Sequence, residues 1–287
     1  MWGLFSNPYS GGGKGKQLKS QVIQILHSRN QEFYDYSGPE RETAANNLRS
    51  LRKDELQGLI VIGGDGTINL AIQSLAKTNV PLAVIPAGTG NDFARTLGLN
   101  LKDPIKNLDA CFDSLPTSID LGVVRNRYFV QILSTGFDSL VNERANSLPI
   151  IKGRMKYNFA IVFELLKFRP KSYRFEVDGV GFETKAMLIA VANGNCYGGG
   201  MLISPKSDPQ DGLLDVMIVG PVSKLEFIKV FPKVYRGAHT SHPAVKFLSG
   251  KRIEIESEAI AYADGERIGD LPVTAEIVEG GLKVWRK

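Results

Sequence analysis

The sequence predicts an α/β N-terminal doubly wound domain followed by a mostly antiparallel β C-terminal domain. Three observations support this. Apolar runs alternate with amphipathic stretches through the first hundred residues, glycine clusters follow those runs, and beyond Leu115-Pro116 the pattern turns β-branched and alternating. With 287 residues, 43% hydrophobic and 23% charged, the chain can fill two cores, and its composition argues against disorder or coiled coil. The expected domains are residues 1–116 and 117–287, with an active-site cleft between them.

Leu4-Phe5 is a short apolar entry to a glycine-rich loop. Residues 16–28 place Leu18, Val22, Ile25 and Leu26 at helical spacing, residues 32–36 read as a short strand, and residues 40–51 as a second helix. Leu59 to Ile62 is an uninterrupted apolar run ending in glycine, as a parallel strand buried on both faces requires, and a helix is expected over 68–75. Residues 81–85 repeat the pattern. Such alternation puts a ligand at the carboxyl ends of the strands. In the second half, strand patterns cover 119–135, 172–178, 183–192, 213–219, 252–263 and 273–285, and helices are expected over 154–168 and 223–234.

Several classes are excluded. Cys111 and Cys196 are far apart and lack CxxC spacing, so neither a disulfide framework nor a zinc knuckle is expected. The longest uncharged stretch, Ala186 to Pro205, is broken by asparagines and glycines and does not read as a membrane span. No basic, then apolar, leader opens the chain, so a cytoplasmic location is expected. There is no Gly-x-Ser-x-Gly elbow, and His239 and His242 read as surface residues. The net charge of +5 is concentrated between Pro149 and Arg174, where Lys152, Arg154, Lys156, Lys167, Arg169, Lys171 and Arg174 face Glu164 alone. With Phe159, Val162, Phe163 and Leu166, this segment suggests peripheral contact with an anionic membrane surface, at the inner membrane face. No nucleic-acid partner is expected.

The chemistry sits in the glycine loops. Asn7-Pro8-Tyr9-Ser10-Gly11-Gly12-Gly13-Lys14-Gly15-Lys16 lies between a strand and a helix, where backbone N–H groups and a helix N-terminus can receive an anion, although its spacing is not that of a Walker A loop. Gly63-Gly64-Asp65-Gly66-Thr67-Ile68-Asn69 adds a carboxylate, a hydroxyl and an amide at alternate positions. Pro86-Ala87-Gly88-Thr89-Gly90-Asn91-Asp92 repeats the arrangement, with Asn91 or Asp92 able to act as an N-cap. In the second half, Asp208-Pro209-Gln210-Asp211-Gly212-Leu213-Leu214-Asp215 does not fit an EF-hand, yet loop carboxylates with nearby carbonyls can hold a hydrated Mg²⁺. Ala263-Asp264-Gly265-Glu266 is, taken alone, an ordinary Asp-Gly hairpin turn.

Taken together, Asn7-Pro8 with Ser10-Gly11, Gly63-Gly64-Asp65-Gly66-Thr67, Gly88-Thr89-Gly90-Asn91-Asp92-Phe93-Ala94, Asn193-Gly194, Tyr197-Gly198-Gly199-Gly200, Asp211-Gly212-Leu213-Leu214-Asp215 and Asp264-Gly265-Glu266 resemble the diacylglycerol kinase catalytic-domain family of lipid kinases, which includes bacterial diacylglycerol kinases and sphingosine kinases. The likeness spans nearly the whole chain. It implies transfer of the ATP γ-phosphate to a lipid hydroxyl, most readily that of diacylglycerol or a related lipid alcohol. It also implies nucleotide contacts at Asn7, Ser10, Gly11, Gly12, Gly13, Ser37, Gly63, Gly64, Asp65, Gly66, Thr67, Asn69 and Thr89. By the same resemblance, Mg²⁺ falls at Asp208, Asp211 and Leu213, and Glu266 matches the general base, with Asp65 as the competing carboxylate. One departure is Leu70, where many members place Glu after the asparagine. Two alternatives stay open: an NAD kinase-like phosphotransferase, and a non-catalytic nucleotide- or membrane-binding module. Neither the acceptor lipid nor the oligomeric state follows from the residues.

Overall fold

A computed structural model of the chain describes residues 1–147 and 154–286. Lys152 and the side chains of Arg154, Lys156, Phe159 and Val162, which the basic-segment reading invoked, lie outside the described residues. The chain forms two compact units. The first comprises Met1–Leu121, Cys196–Gly200 and Val278–Lys287, and the second Gly122–Asn195 and Met201–Ile277.

The first unit is built on parallel strands. β1 (Trp2–Ser6), α1 (Lys14–Ser28), β2 (Phe33–Asp35), α2 (Arg41–Arg49), β3 (Gly58–Gly63), α3 (Asp65–Leu75), β4 (Leu82–Pro86), α4 (Asp92–Thr96) and α5 (Asn107–Asp113) follow in order. The strands lie side by side as β2-β1-β3-β4. Every residue of β1, β3 and β4 is buried, which is why these strands read as continuous apolar runs rather than alternating ones. Leu18, Val22 and Leu26 of α1 and Leu108 and Cys111 of α5 pack with Leu4, Ile60, Ile62 and Ile85 in one cluster. Because parallel strands need helical crossovers, β1, β3 and β4 all end on the same edge, and their three glycine loops emerge there.

The end of the chain closes this unit. Val284 pairs in parallel with Leu82. Trp285 is buried, its ring 5.6 Å from that of Trp2, and its indole N–H donates to the Ser114 carbonyl at 3.0 Å.

The second unit contains β5 (Thr117–Val124, its final three residues), β6 (Arg127–Phe129), β7 (Ile132–Gly136), α6 (Phe137–Ser147), α7 (Arg154–Lys167), β8 (Lys171–Val177), β9 (Val180–Ala186), β10 (Leu188–Ala192), β11 (Leu214–Val219), α8 (Lys224–Val230), β12 (Val245–Gly250), β13 (Arg252–Glu256), β14 (Ile260–Ala263), β15 (Glu266–Asp270) and the first half of β16 (Val273–Val284). One sheet runs β12-β11-β10-β7-β14-β15, and β16-β13-β8-β9 pair separately, all antiparallel here. Leu133, Ile189, Val191 and Val216 from the six-stranded sheet share a core with Tyr173, Phe175, Ile253, Ile255 and Val273. Alternate burial along β8 shows one face inward and one toward water. Phe137, Val141, Leu165, Phe168 and Phe227 form a second cluster beneath α6, α7 and α8.

Some expectations need correction. The single stretch 183–192 is two strands that part at Met187 and enter different sheets, as do the two halves of 252–263. The helix expected over 223–234 is α-helical only to Val230. It continues as a 3₁₀ turn over Phe231–Arg236, because Pro232 has no N–H to give an α-helical bond. His239 is buried rather than at the surface, its Nε2 3.0 Å from the Ile203 carbonyl. Replacing Trp285 with Ala should lower stability by about 3–5 kcal/mol, through a large cavity and an orphaned Ser114 carbonyl. Chemical denaturation of the two proteins measures this.

Candidate active site

The first loop is held open by backbone that only glycine adopts comfortably. Gly11, Gly12 and Gly13 have φ of 59°, 70° and 103°, and α1 starts at the next residue. A Cβ on Gly12 or Gly13 would meet nothing within 4 Å, so this turn presents bare backbone beside a helix N-terminus. Asn7, at the end of β1, accepts the Tyr9 N–H on Oδ1 at 3.0 Å and the Ser10 N–H on its carbonyl at 3.2 Å, which folds the chain into the turn. Ser37 is joined to the same strand end. Its Oγ accepts the Ser6 N–H at 2.9 Å and lies 3.3 Å from the Lys19 ammonium, which pairs with Asp35.

The second and third loops touch backbone to backbone. A Cβ on Gly88 would fall 2.5 Å from the Gly64 Cα, so Gly88 accepts no side chain, and one on Gly64 would press on the Gly88 Cα at 3.0 Å. Asn91 sits at the N-cap position of α4 but does not cap it. Its amide instead clasps Gly88, with Oδ1 accepting the N–H and Nδ2 donating to the carbonyl, both at 2.9 Å. Asp65 opens α3, and its Oδ1 accepts the Phe93 N–H at 3.3 Å. Burial, followed by the nearby Asp92 carboxylate, pushes the Asp65 carboxyl above the usual range. Thr67 is half-buried, Thr89 exposed and Asn69 buried one turn into α3, where Gln73 donates to it. The first unit therefore brings together Asn7, Ser10 to Gly13, Ser37, Gly63 to Thr67 and Thr89 along one strand edge.

Asp92 plays a part that the motif did not reveal. It is buried and accepts the N–H groups of Gly199, at 2.9 Å, and Gly200, at 2.6 Å. This anchors the Tyr197-Gly198-Gly199-Gly200 motif within the first unit. Cys196 beside it donates to the Asp92 carbonyl, and burial and Asp92 push its thiol up to about 12, so it is inert at neutral pH.

The remaining candidates lie in the second unit. Asp264 and Gly265, with φ of 48° and 80°, form the tight turn that leads to Glu266. The Asp264 carboxylate accepts three consecutive backbone N–H groups, from Val130 at 2.8 Å, Gln131 at 3.0 Å and Ile132 at 3.1 Å. Asn193 and Gly194 bind the same segment. The Asn193 side chain donates to the Val130 carbonyl, and both backbone N–H groups donate to the Gln131 carbonyl. Glu266, two residues beyond this anchor, keeps a quarter of its side chain exposed, with the Arg127 guanidinium 4.0 Å away.

Asp208 and Asp211 are exposed on a turn in which Asp211 Oδ1 accepts the Leu213 N–H at 3.0 Å. Asp215 is taken up by the Ser207 and Ser249 hydroxyls. Among the described residues no group of three His, Cys, Asp or Glu side chains could hold a metal. The turn nevertheless supplies two carboxylates and backbone carbonyls, hard oxygen donors that suit an ion retaining several waters, as Mg²⁺ does. The glycine loops likewise fit a triphosphate, with free space, backbone donors and two helix N-termini.

Comparison with known proteins accounts for both units. The diacylglycerol kinase catalytic domain family matches residues 1–124, and the family described as the YegS C-terminal NAD kinase beta sandwich-like domain matches residues 131–286. A diacylglycerol kinase of Mycobacterium tuberculosis (strain ATCC 25618 / H37Rv) is 35% identical over 98% of this chain and 93% of its own length. One from Bacillus subtilis (strain 168) is 32% identical over 94% and 90%. The crystal structure of a diacylglycerol kinase from Bacillus anthracis str. Sterne has the same fold, with a TM-score of 0.81 at 22% identity, covering 100% of this chain and 96% of that one. The pairing of these two domains defines a class of kinases with a glycine-loop α/β domain and a β-sandwich partner. The chain belongs to the diacylglycerol kinase family.

Two substitutions test the site's electrostatics and scaffold. A carboxyl whose folded pKa is raised favours folding below its unfolded pKa, and that contribution is lost as pH rises through the folded value. Asp65→Asn should therefore raise the melting temperature at pH 7, with the gain shrinking as pH falls toward about 4. Asp264→Ala should cost about 3 kcal/mol or more, because three N–H groups lose a charged acceptor at once. Thermal unfolding of each variant across pH reads both effects.

Proposed function

We propose that this ATP-dependent lipid kinase transfers the γ-phosphoryl group to the free hydroxyl of diacylglycerol, with Glu266 as general base. The observation that carries the nucleotide half is the bare Gly11-Gly12-Gly13 turn beside the α1 N-terminus, on the same edge as the Gly64 and Gly88 contact. Phosphoryl transfer depends chiefly on alignment and charge neutralisation, which backbone N–H groups and helix N-termini supply. Asn7, Ser10 to Gly13, Gly63 to Thr67 and Thr89 would hold the nucleotide, with Ser37 and Asn69 shaping the edge. Mg²⁺, where bound by Asp208, Asp211 and the Leu213 carbonyl, would add positive charge to the second unit and order its turn.

Glu266 begins β15 directly after the Asp264 anchor, so its backbone is fixed while its carboxylate remains accessible. A base so placed accepts the lipid hydroxyl proton as the oxygen attacks. Asp65 is the rival, since its raised pKa brings it nearer the range in which a base works well. Peripheral encounter with an anionic bilayer at the cytoplasmic face belongs to the same proposal, since the acceptor resides in a bilayer. Among the described residues no helix is long and apolar enough to cross one.

ATP consumption should be measured with diacylglycerol in mixed micelles and, separately, with NAD. Turnover with the lipid alone is expected, turnover with NAD alone would establish the dinucleotide kinase, and ATP binding without turnover would indicate a sensor. Glu266→Gln should lower the rate about 10²–10⁴-fold with ATP binding retained. Full activity in that variant, with Asp65→Asn inactive yet ATP-bound, would transfer the role to Asp65.

A further inference from the structure

A surface that meets lipid needs exposed apolar groups together with cations that are not already engaged. In the basic segment ending at Arg174, three of the described cations are already engaged. Lys171 donates to the Glu258 carbonyl, Arg174 pairs with Glu183 and Glu256, and the Lys167 ammonium lies over the Phe163 ring at 4.5 Å.

The segment from α8 through the following 3₁₀ turn is different. Leu225, Ile228 and Tyr235 are 73%, 57% and 48% exposed, and Pro232 is also exposed, giving spacing i, i+3, i+7, i+10 along one outward stripe. The opposite face is already satisfied. The Phe227 ring lies 4.9 Å from Phe137 and 5.7 Å from Phe231, and Val234 is buried. The outward stripe is thus apolar surplus rather than a misplaced core face.

Four cations flank it, Lys224, Lys229, Lys233 and Arg236, all exposed. Lys229, Lys233 and Arg236 form no ion pair among the described residues. The single acid, Glu226, is occupied by the Ser223 N–H and by His242. Lys224 donates to the Leu166 carbonyl at the end of α7, which sets Leu166, 65% exposed, beside the stripe.

We propose that Leu225, Ile228 and Tyr235, with Leu166 beside them, seat in the headgroup boundary of an anionic bilayer while Lys229, Lys233 and Arg236 face its phosphates; this rests on the lipid-kinase reading above. A stripe of large apolar residues with a lysine-rich border suits an interfacial segment on anionic lipid. Protein interfaces are depleted in lysine at their centres, which makes a partner protein the poorer occupant.

The test uses the full chain and vesicles of phosphatidylglycerol and phosphatidylcholine without diacylglycerol, so that binding is read apart from turnover. Wild-type co-sedimentation should rise with the phosphatidylglycerol fraction and weaken with salt. The double variant Leu225→Ser/Ile228→Ser and the triple variant Lys229→Gln/Lys233→Gln/Arg236→Gln should each bind about tenfold more weakly. Both should keep wild-type activity on a short-chain diacylglycerol dispersed in water. In an otherwise wild-type chain, Ile228→Trp should show a blue-shifted emission that brominated acyl chains quench.

Wild-type affinity in both multiple variants, or no binding by wild type, would overturn the proposal. So would a dimer in sedimentation velocity that the Leu225→Ser/Ile228→Ser variant dissolves without loss of vesicle binding, since a second copy would then be the occupant. Failure to phosphorylate diacylglycerol would sink the substrate assignment alone, because the vesicle measurements do not depend on it.

Discussion

No side chain fits between Gly64 and Gly88. That exclusion lets the loops after β3 and β4 lie backbone against backbone, with Asn91 clasping Gly88 from the far side. With the loops this close the Asp65 carboxylate reaches the Phe93 N–H and feels the charge of Asp92. A methyl group at Gly88 would push against Gly64 and the Asn91 amide without touching an ionisable group. In this site the absence of atoms positions the chemistry.

The two carboxylates brought together there are treated differently. Asp92 is fully buried but accepts two backbone N–H groups, which compensate its lost hydration. Asp65 receives backbone N–H groups of Phe93, Asp92 and Asn91, yet burial and the like-charged Asp92 outweigh them and hold its pKa above the usual range. A fold selected only for stability would neutralise such a group. Retention of a carboxylate whose pKa is raised by burial and a like charge fits a site where that group is needed for binding or proton transfer.

The glycine loops were legible because their function is local. Gly11 to Gly13 need positive φ, and Gly88 needs the absence of Cβ, so residue identity alone announces the geometry. The parallel strands were legible for a similar reason, since burial on both faces leaves a continuous apolar run in β3. Elements whose stability is borrowed were not. Strand β15, Glu266–Asp270, is charged at both ends and lies at a sheet edge, and β12 lies at the other edge, so neither shows clean alternation. Helix α6 has an apolar face of few residues, completed by Phe168 and Met187 from elsewhere in the chain. Net charge carries less, because a count of cations between 149 and 174 does not show that Arg174 and Lys171 already have partners.

The least legible feature recurs four times. Asp92 accepts the N–H groups of Gly199 and Gly200, Asp120 that of Gly280, Asp178 those of Lys251 and Arg252, and Asp264 those of Val130, Gln131 and Ile132. In each case a short carboxylate fixes backbone more than seventy residues away in the chain. A backbone N–H carries no residue signature, so no pattern in the partner segment betrays the contact. Asp-Gly at 264–265 therefore looks like a turn and nothing more, although it also ties the strand pair bearing Glu266 to the segment that Asn193 and Gly194 hold from the other side. The motif's acidic residues thus divide by role. Asp92 and Asp264, whose oxygens are filled by N–H groups, build the frame, whereas Asp208 and Asp211 stay at the exposed surface of their turn.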